Sequence, residues 1–311
     1  MSYRRWRNKM RNYLLCLLGI ALVLVVACSK LRDNISEPVD NNINVHPSGW
    51  INRTDAQFHG SVMRANGYDY ENCTKCHGKT YSGGISGVSC MNAGCHSAYD
   101  GTQKSPEACN TCHGNFRAFA NDTLSWAPPR SLGGDTAVTS PGVGAHQAHL
   151  AGIRLSSNAR CEQCHAVPEK VMEINHIDSQ LKAEVIFNTS LAALTSADGT
   201  YQPLSSYDTL RCSGVYCHGS WKLRRESSPN KFGYTDSVMT GLFYKPLWTG
   251  QVSEAECGSC HNLPPDGHIG PFAVTSCGNC HTGIVNANGT IADRSKHING
   301  RVNFQGTERP F

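Results

Sequence analysis

The sequence predicts a mostly irregular, loop-rich fold with short helices and a few short strands, its interior filled by bound groups more than by side chains. Three observations lead there. The chain has 311 residues but only 8% aromatics, against 30 Gly and 14 Pro, so large side chains are scarce for a core of this length. Charged residues make up 17%, below the roughly 25% of an average soluble protein. Sixteen Cys and 14 His stand at recurring spacings that call for crosslinks or cofactors and argue against disorder. Net charge is +4, with five of the cations inside the first 11 residues, so no nucleic-acid partner is expected.

Arg4, Arg5, Arg7, Lys9 and Arg11 form a basic start, and Leu14 to Ala27 is an apolar run, shorter than the roughly 20 residues that span a bilayer. It ends in Val25-Val26-Ala27-Cys28, which resembles the lipobox of bacterial lipoproteins. Residues 1–27 are therefore expected to be a lipoprotein signal peptide, with Cys28 lipidated after cleavage. Its removal takes five positive charges and no negative one, leaving −1, and takes Cys16 with it. Acyl chains on Cys28 would hold the protein on a membrane at ~0.8 kcal/mol per buried methylene. Ser29 stands where the resemblance would put Asp for inner-membrane retention, so the outer membrane is expected. Residues 28–57 read as a polar tether.

The other fourteen Cys form seven pairs, each followed at once by His. Five are C-x-x-C-H: Cys73, Cys76 and His77; Cys109, Cys112 and His113; Cys161, Cys164 and His165; Cys257, Cys260 and His261; Cys277, Cys280 and His281. Two are C-x4-C-H: Cys90, Cys95 and His96; Cys212, Cys217 and His218. Two thiols at this spacing reach the two vinyl groups on one porphyrin edge, and the adjacent His then meets the iron from the proximal face. Two extra loop residues can bulge away without moving either end. Zinc ribbons and disulfide frameworks use paired Cys as well, but neither requires His after every pair. The motifs predict seven covalent haems of c type.

Seven further His remain: His46, His59, His146, His149, His176, His268 and His297. They match the demand for one distal ligand per iron, with Met63, Met91, Met172 and Met239 as alternatives at a single site. Imidazole on both faces fills the iron's coordination and favours low potentials. Electron transfer is thus expected, and catalysis is the weaker hypothesis.

Motif order repeats. C-x4-C-H at Cys90, C-x-x-C-H at Cys109, His146, C-x-x-C-H at Cys161 and His176-Ile177-Asp178 return as Cys212, Cys257, His268, Cys277 and His297-Ile298-Asn299. The second copy carries a long insertion, Trp221 to Glu256. The predicted divisions are a first haem segment (58–89), a three-haem module (90–190) and a second (191–311). Spare His are distributed three and two between the modules, with two upstream, so at least one distal ligand must cross between segments. His59 is expected to serve the Cys73 haem or its neighbour, and His46 to reach further. Short helices are expected over 145–151 and 253–259, with a hairpin strand at 183–187. The pairs Gly83-Gly84 and Gly133-Gly134 read as turns.

The alternation of the two motif lengths, with Tyr216 to Ser220 (YCHGS), Cys260 to His268 (CHNLPPDGH) and Gly144 to Leu150 (GAHQAHL), resembles the CxxxxCH/CxxCH-type multihaem c cytochromes of metal-reducing bacteria. The resemblance covers about residues 70 to 304. It implies an exported protein, in the periplasm or on the outer surface, that passes electrons toward extracellular acceptors. The expected partners are other redox proteins, periplasmic or outer-membrane cytochromes, besides the membrane itself through the lipid anchor. Two alternatives are a subunit of a polymeric cytochrome filament and a terminal multihaem reductase with one open haem.

Overall fold

Short elements strung between long turns make up the chain. The computed structural model describes residues 45–92, 94–177, 183–187 and 191–311, with Tyr13. The expected leader (Tyr13 aside), Cys28, the tether up to residue 44 and Asp178 lie outside the described residues. No helix among the described residues is long and apolar enough to cross a membrane.

The chain divides into two compact units, Met1–Arg64 and Ala65–Phe311. In the first, a run of turns brings Trp50 against both of its histidines. His46 stacks on the indole at 4.5 Å. His59, which opens helix α1 (His59–Ala65), hydrogen-bonds the Trp50 carbonyl through Nδ1 at 2.9 Å.

The second unit holds the motifs. Helix α2 (Glu71–His77) carries Cys73, Cys76 and His77. Helix α3 (His146–Leu150) falls inside the expected 145–151 helix. Other motifs sit on single 3₁₀ turns, as at Cys109–Thr111, Cys161–Gln163 and Val274–Asn279. A turn of this tightness brings the groups of a four-residue span together. The motif His closes it, its N–H bonding the carbonyl of the first Cys: His113 to Cys109 at 3.0 Å, His165 to Cys161 at 2.9 Å and His281 to Cys277 at 2.9 Å. The wider Cys90 loop closes the same way, His96 N–H to Cys90 carbonyl at 3.2 Å.

Three antiparallel hairpins supply the strands. They are β1 (Ser206–Asp208) with β2 (Arg211–Ser213), β3 (Lys222–Arg224) with β4 (Val238–Thr240), and β5 (Arg301–Phe304) with β6 (Thr307–Pro310). Tyr207 stands opposite Cys212, Leu223 opposite Met239 and Val302 opposite Arg309. The two-residue turns Thr209-Leu210 and Gln305-Gly306 have positive φ at both positions, the geometry that matches strand twist. Two expectations are corrected. Among the described residues, 183–187 pair with no strand; the Ile186 N–H bonds the Cys164 carbonyl instead. The helix over 253–259 is a 3₁₀ turn at Val252–Ala255.

Buried apolar side chains among the described residues are few and half of them are small: Ala98, Ala118, Ala127, Val143, Ala192 and Val215, with Tyr81, Tyr216, Tyr234, Met239, Ile284 and Phe311 as the larger ones. The loop-rich architecture is as the composition predicts.

Candidate functional site

Five histidine pairs face each other across the second unit. Ring centres are 6.1 Å apart for His113 and His176, 6.2 Å for His146 and His165, and 6.1 Å for His149 and His218. They are 6.3 Å apart for His261 and His297, and 6.2 Å for His268 and His281. Each pair joins a motif histidine to one of the spare ones. With metal–nitrogen bonds of about 2 Å and about 1.1 Å from ring nitrogen to ring centre, two imidazoles on opposite faces of one iron have centres about 6.2 Å apart. The separations fit that arrangement. They are too long for stacked rings in contact.

The outer nitrogens set which atom is offered. Nδ1 lies within hydrogen-bond reach of a backbone carbonyl in eight of these ten rings. The partners are Val143 for His146, Ala145 for His149, Glu184 for His165 and Val171 for His176, at 2.7 to 2.9 Å. For His261, His268, His281 and His297 they are Asn262, Ile269, Asn303 and Leu155, at 2.6 to 2.8 Å. A carbonyl only accepts, so Nδ1 carries the proton and Nε2 keeps its lone pair for a metal. His77 makes the same bond, to the Val88 carbonyl at 2.8 Å.

Electrostatics act in the same direction. Burial pushes His218 down to about 4, and it also lowers His113, His146, His281 and His297. A neutral ring is the ligand form. Burial likewise raises the thiols, Cys164 and Cys212 to about 11 and Cys217 to about 12. A thioether carries no charge, so an environment that opposes thiolate tolerates the bonded sulfur. None of the fourteen motif Cys is joined in a disulfide, and among the described residues no group of three or more His, Cys, Asp or Glu is disposed around one metal ion. The residues fit haem by opposing imidazoles in twos.

The pairing pattern follows the internal repeat. The Cys109 and Cys257 motifs each face the last His of their copy, His176 and His297. The Cys161 and Cys277 motifs each face the middle His, His146 and His268. The apolar stretches after those late histidines do one job in both copies: Glu184 supports His165 and Asn303 supports His281 through their carbonyls. The Ile186 and Gln305 N–H groups bond the carbonyls of Cys164 and Cys280. The fifth pair breaks the local rule, because His149 belongs to the first copy and His218 to the second. The copies are stitched elsewhere too, by His297 to the Leu155 carbonyl and by Arg294 to the Ile153 carbonyl.

His46 and His59 lie in the first unit and His77 and His96 in the second. His96 packs edge-on to Phe116 at 5.6 Å, and Phe116 lies under the buried Lys104 ammonium, whose Nζ bonds the Phe116 carbonyl. Of the methionines considered, Met239 is buried in β4 and Met172 is exposed. Neither the supporting carbonyls nor Trp248, whose indole contacts both His146 and His149, carries a signal readable in the sequence.

Opposed imidazoles beside paired thiols define a c-type haem protein. Residues 211–261, which hold Cys212, Cys217 and His218 together with Cys257, Cys260 and His261, match the family model described as the Geobacter CxxxxCH...CXXCH motif. This segment carries the paired motif of a multihaem c-type cytochrome family, and it points to electron transfer. No curated protein and no solved structure matches the chain.

Proposed function

We propose that the protein is a lipid-anchored heptahaem c-type cytochrome that carries electrons through bis-imidazole haems toward outer-membrane or extracellular acceptors. The observation that carries this is the set of five opposed histidine pairs at 6.1 to 6.3 Å, each containing one motif histidine. Bound haem supplies a one-electron couple at its iron. The chain's part would be to hold two imidazoles to each of these haems, with Nδ1 of both rings tied to the backbone in three of the five pairs and of one ring, His176 or His149, in the pairs of His113 and His218. Imidazole on each face leaves a substrate no place to bind iron, which favours relay over reductase chemistry. At these five positions the Met alternatives have no role. The number seven comes from seven motifs and seven further histidines in the sequence.

Haem would also supply the interior that side chains do not, since buried apolar side chains in the described core are few and half of them are Ala or Val. Each oxidised haem adds about −1 through its propionates, bringing the processed holoprotein to about −8. Partner cytochromes with positive faces and brief, salt-sensitive contacts suit that charge. The leader ending at Ala27, with Cys28 next and Ser29 in the second position, supports an outer-membrane anchor.

Intact mass and optical spectra of the exported protein test the proposal together. The expected result is seven haem additions, lipid on Cys28, and a low-spin spectrum unchanged by carbon monoxide. A haem that binds the gas would overturn the relay in favour of a reductase, and an unmodified Cys28 would remove the anchor. Chain synthesised without haem attachment is expected to give a disordered circular dichroism spectrum.

A further inference from the structure

The second repeat is lengthened by Trp221 to Glu256, and the ligand pairs leave that insertion without a part. Its course gives it one. The Cys212 N–H bonds the Pro246 carbonyl at 3.3 Å, and the Trp248 N–H bonds the Leu210 carbonyl at 2.6 Å. The Arg211 guanidinium donates to the Lys245 carbonyl at 2.7 Å. Glu254 folds back to accept from the Tyr244 hydroxyl at 2.7 Å and the Leu247 N–H at 3.1 Å. The segment is thereby pinned beside β2, the strand that bears Cys212.

What it delivers is the indole of Trp248. The ring lies edge-on to His146 (4.8 Å, 86°) and close to parallel with His149 (5.8 Å, 27°). Its Nε1–H donates to the Pro141 carbonyl at 2.8 Å, just ahead of α3. Gly144 makes room: a Cβ there would come within 2.0 Å of the indole Nε1. His146 and His149 sit one helical turn apart, which puts their side chains on one face. A five-residue helix cannot hold that face rigid unaided.

We infer that Trp248 is the positioning residue of the junction between the two repeats, locking the ring planes of His146 and His149, the imidazoles that would serve the Cys161 and Cys212 haems. The inference rests on the bis-imidazole reading above. An imidazole bonded through Nε2 retains rotation about that bond as its soft motion. The Nδ1 hydrogen bond restrains it from one end, and the indole blocks it from the side. One aromatic plane touching both rings couples two ligands that serve different repeats.

The holoprotein carrying Trp248→Ala, compared with Trp248→Phe, tests this. The electron paramagnetic resonance of low-spin ferric haem depends on the angle between its two imidazole planes. That angle is 20° for His146 and His165 and 82° for His149 and His218, so the two haems belong to separable components. Trp248→Ala is expected to keep every haem by mass and to shift two components, one near-parallel and one near-perpendicular. Trp248→Phe restores the aromatic plane and should return most of the shift. Should the Ala variant fail to mature, Trp248→Leu, which keeps bulk but no plane, is expected to shift the same two. An unshifted spectrum in a fully loaded Ala or Leu variant overturns the inference and leaves the bis-imidazole reading intact. Loss of the low-spin signal in the unmodified protein would instead remove the reading itself.

Discussion

The imidazoles of His149 and His218 face each other at 6.1 Å although one belongs to the first repeat and the other to the second. Three residues away, His146 faces His165 of its own repeat at 6.2 Å. On the proposed bis-imidazole reading one short helix would serve two haems in two repeats, and two substitutions on it should separate them. His149→Ala is expected to retain all haems by mass and to expose one high-spin haem that binds carbon monoxide. Adding Cys212→Ser and Cys217→Ser should abolish that binding, because the exposed haem is then missing. His146→Ala should also expose one haem, whose gas binding survives those two Ser changes. If His149→Ala leaves a purely low-spin spectrum, the cross-repeat pairing is wrong.

The five pairs differ in the angle between their planes. His113 with His176 and His146 with His165 are near-parallel, at 24° and 20°. His149 with His218 and His261 with His297 approach perpendicular, at 82° and 72°, and His268 with His281 lies between at 44°. The oxidised protein should therefore give a composite low-spin resonance spectrum with both near-parallel and near-perpendicular components. A single uniform component would contradict the ring orientations.

The covalent chemistry was legible in the sequence because it depends on contiguous residues: two Cys and one His within five or seven positions fix the attachment wherever the chain goes. The repeat was legible for the same reason, and the count of spare histidines led to the expectation that a distal ligand crosses between segments. Which histidine faces across the repeats was not legible, since His146 and His149 have equivalent surroundings in sequence and only the fold sets His149 opposite His218. Nor were the carbonyl supports: any residue has a carbonyl, so Leu155 beneath His297 leaves no sequence mark. Residues 183–187 look like a strand because the stretch is apolar and extended, yet their backbone groups serve the Cys161 motif and, among the described residues, pair with no strand. Trp248 lay unread inside an insertion noted only for its length.

Gly144 has φ +44, and a side chain there would meet the Trp248 indole. Gly101 has φ +85 with nothing within 4 Å of a Cβ. Backbone strain alone costs about 1–2 kcal/mol for a non-glycine residue in this region. Gly101→Ala should lower stability by about that much, while Gly144→Ala adds overpacking of about 1–3 kcal/mol. Thermal unfolding of the two holoproteins measures the difference, and Gly144→Ala should also reproduce the two-component resonance shift. Equal melting temperatures would show that the indole does not press on this backbone.

Glu254 anchors the segment that carries Trp248, and its ionisation can be isolated. The Tyr244 hydroxyl first, then the Leu247 N–H, holds its carboxyl below the usual carboxylate range. A group whose folded pKa is depressed stabilises the fold above its unfolded value of about 4.3 and loses that contribution as pH falls through the folded value. Glu254→Gln keeps a side-chain acceptor of similar shape but removes the charge. The variant should therefore melt below the unmodified protein above pH 5, with the gap narrowing as pH falls below about 4. Other carboxylates and the propionates titrate in both proteins, so the difference between the two melting curves, and not either curve alone, isolates Glu254. A gap that stays constant from pH 7 down to pH 3 would mean that the Tyr244 and Leu247 contacts do not depend on the carboxylate charge.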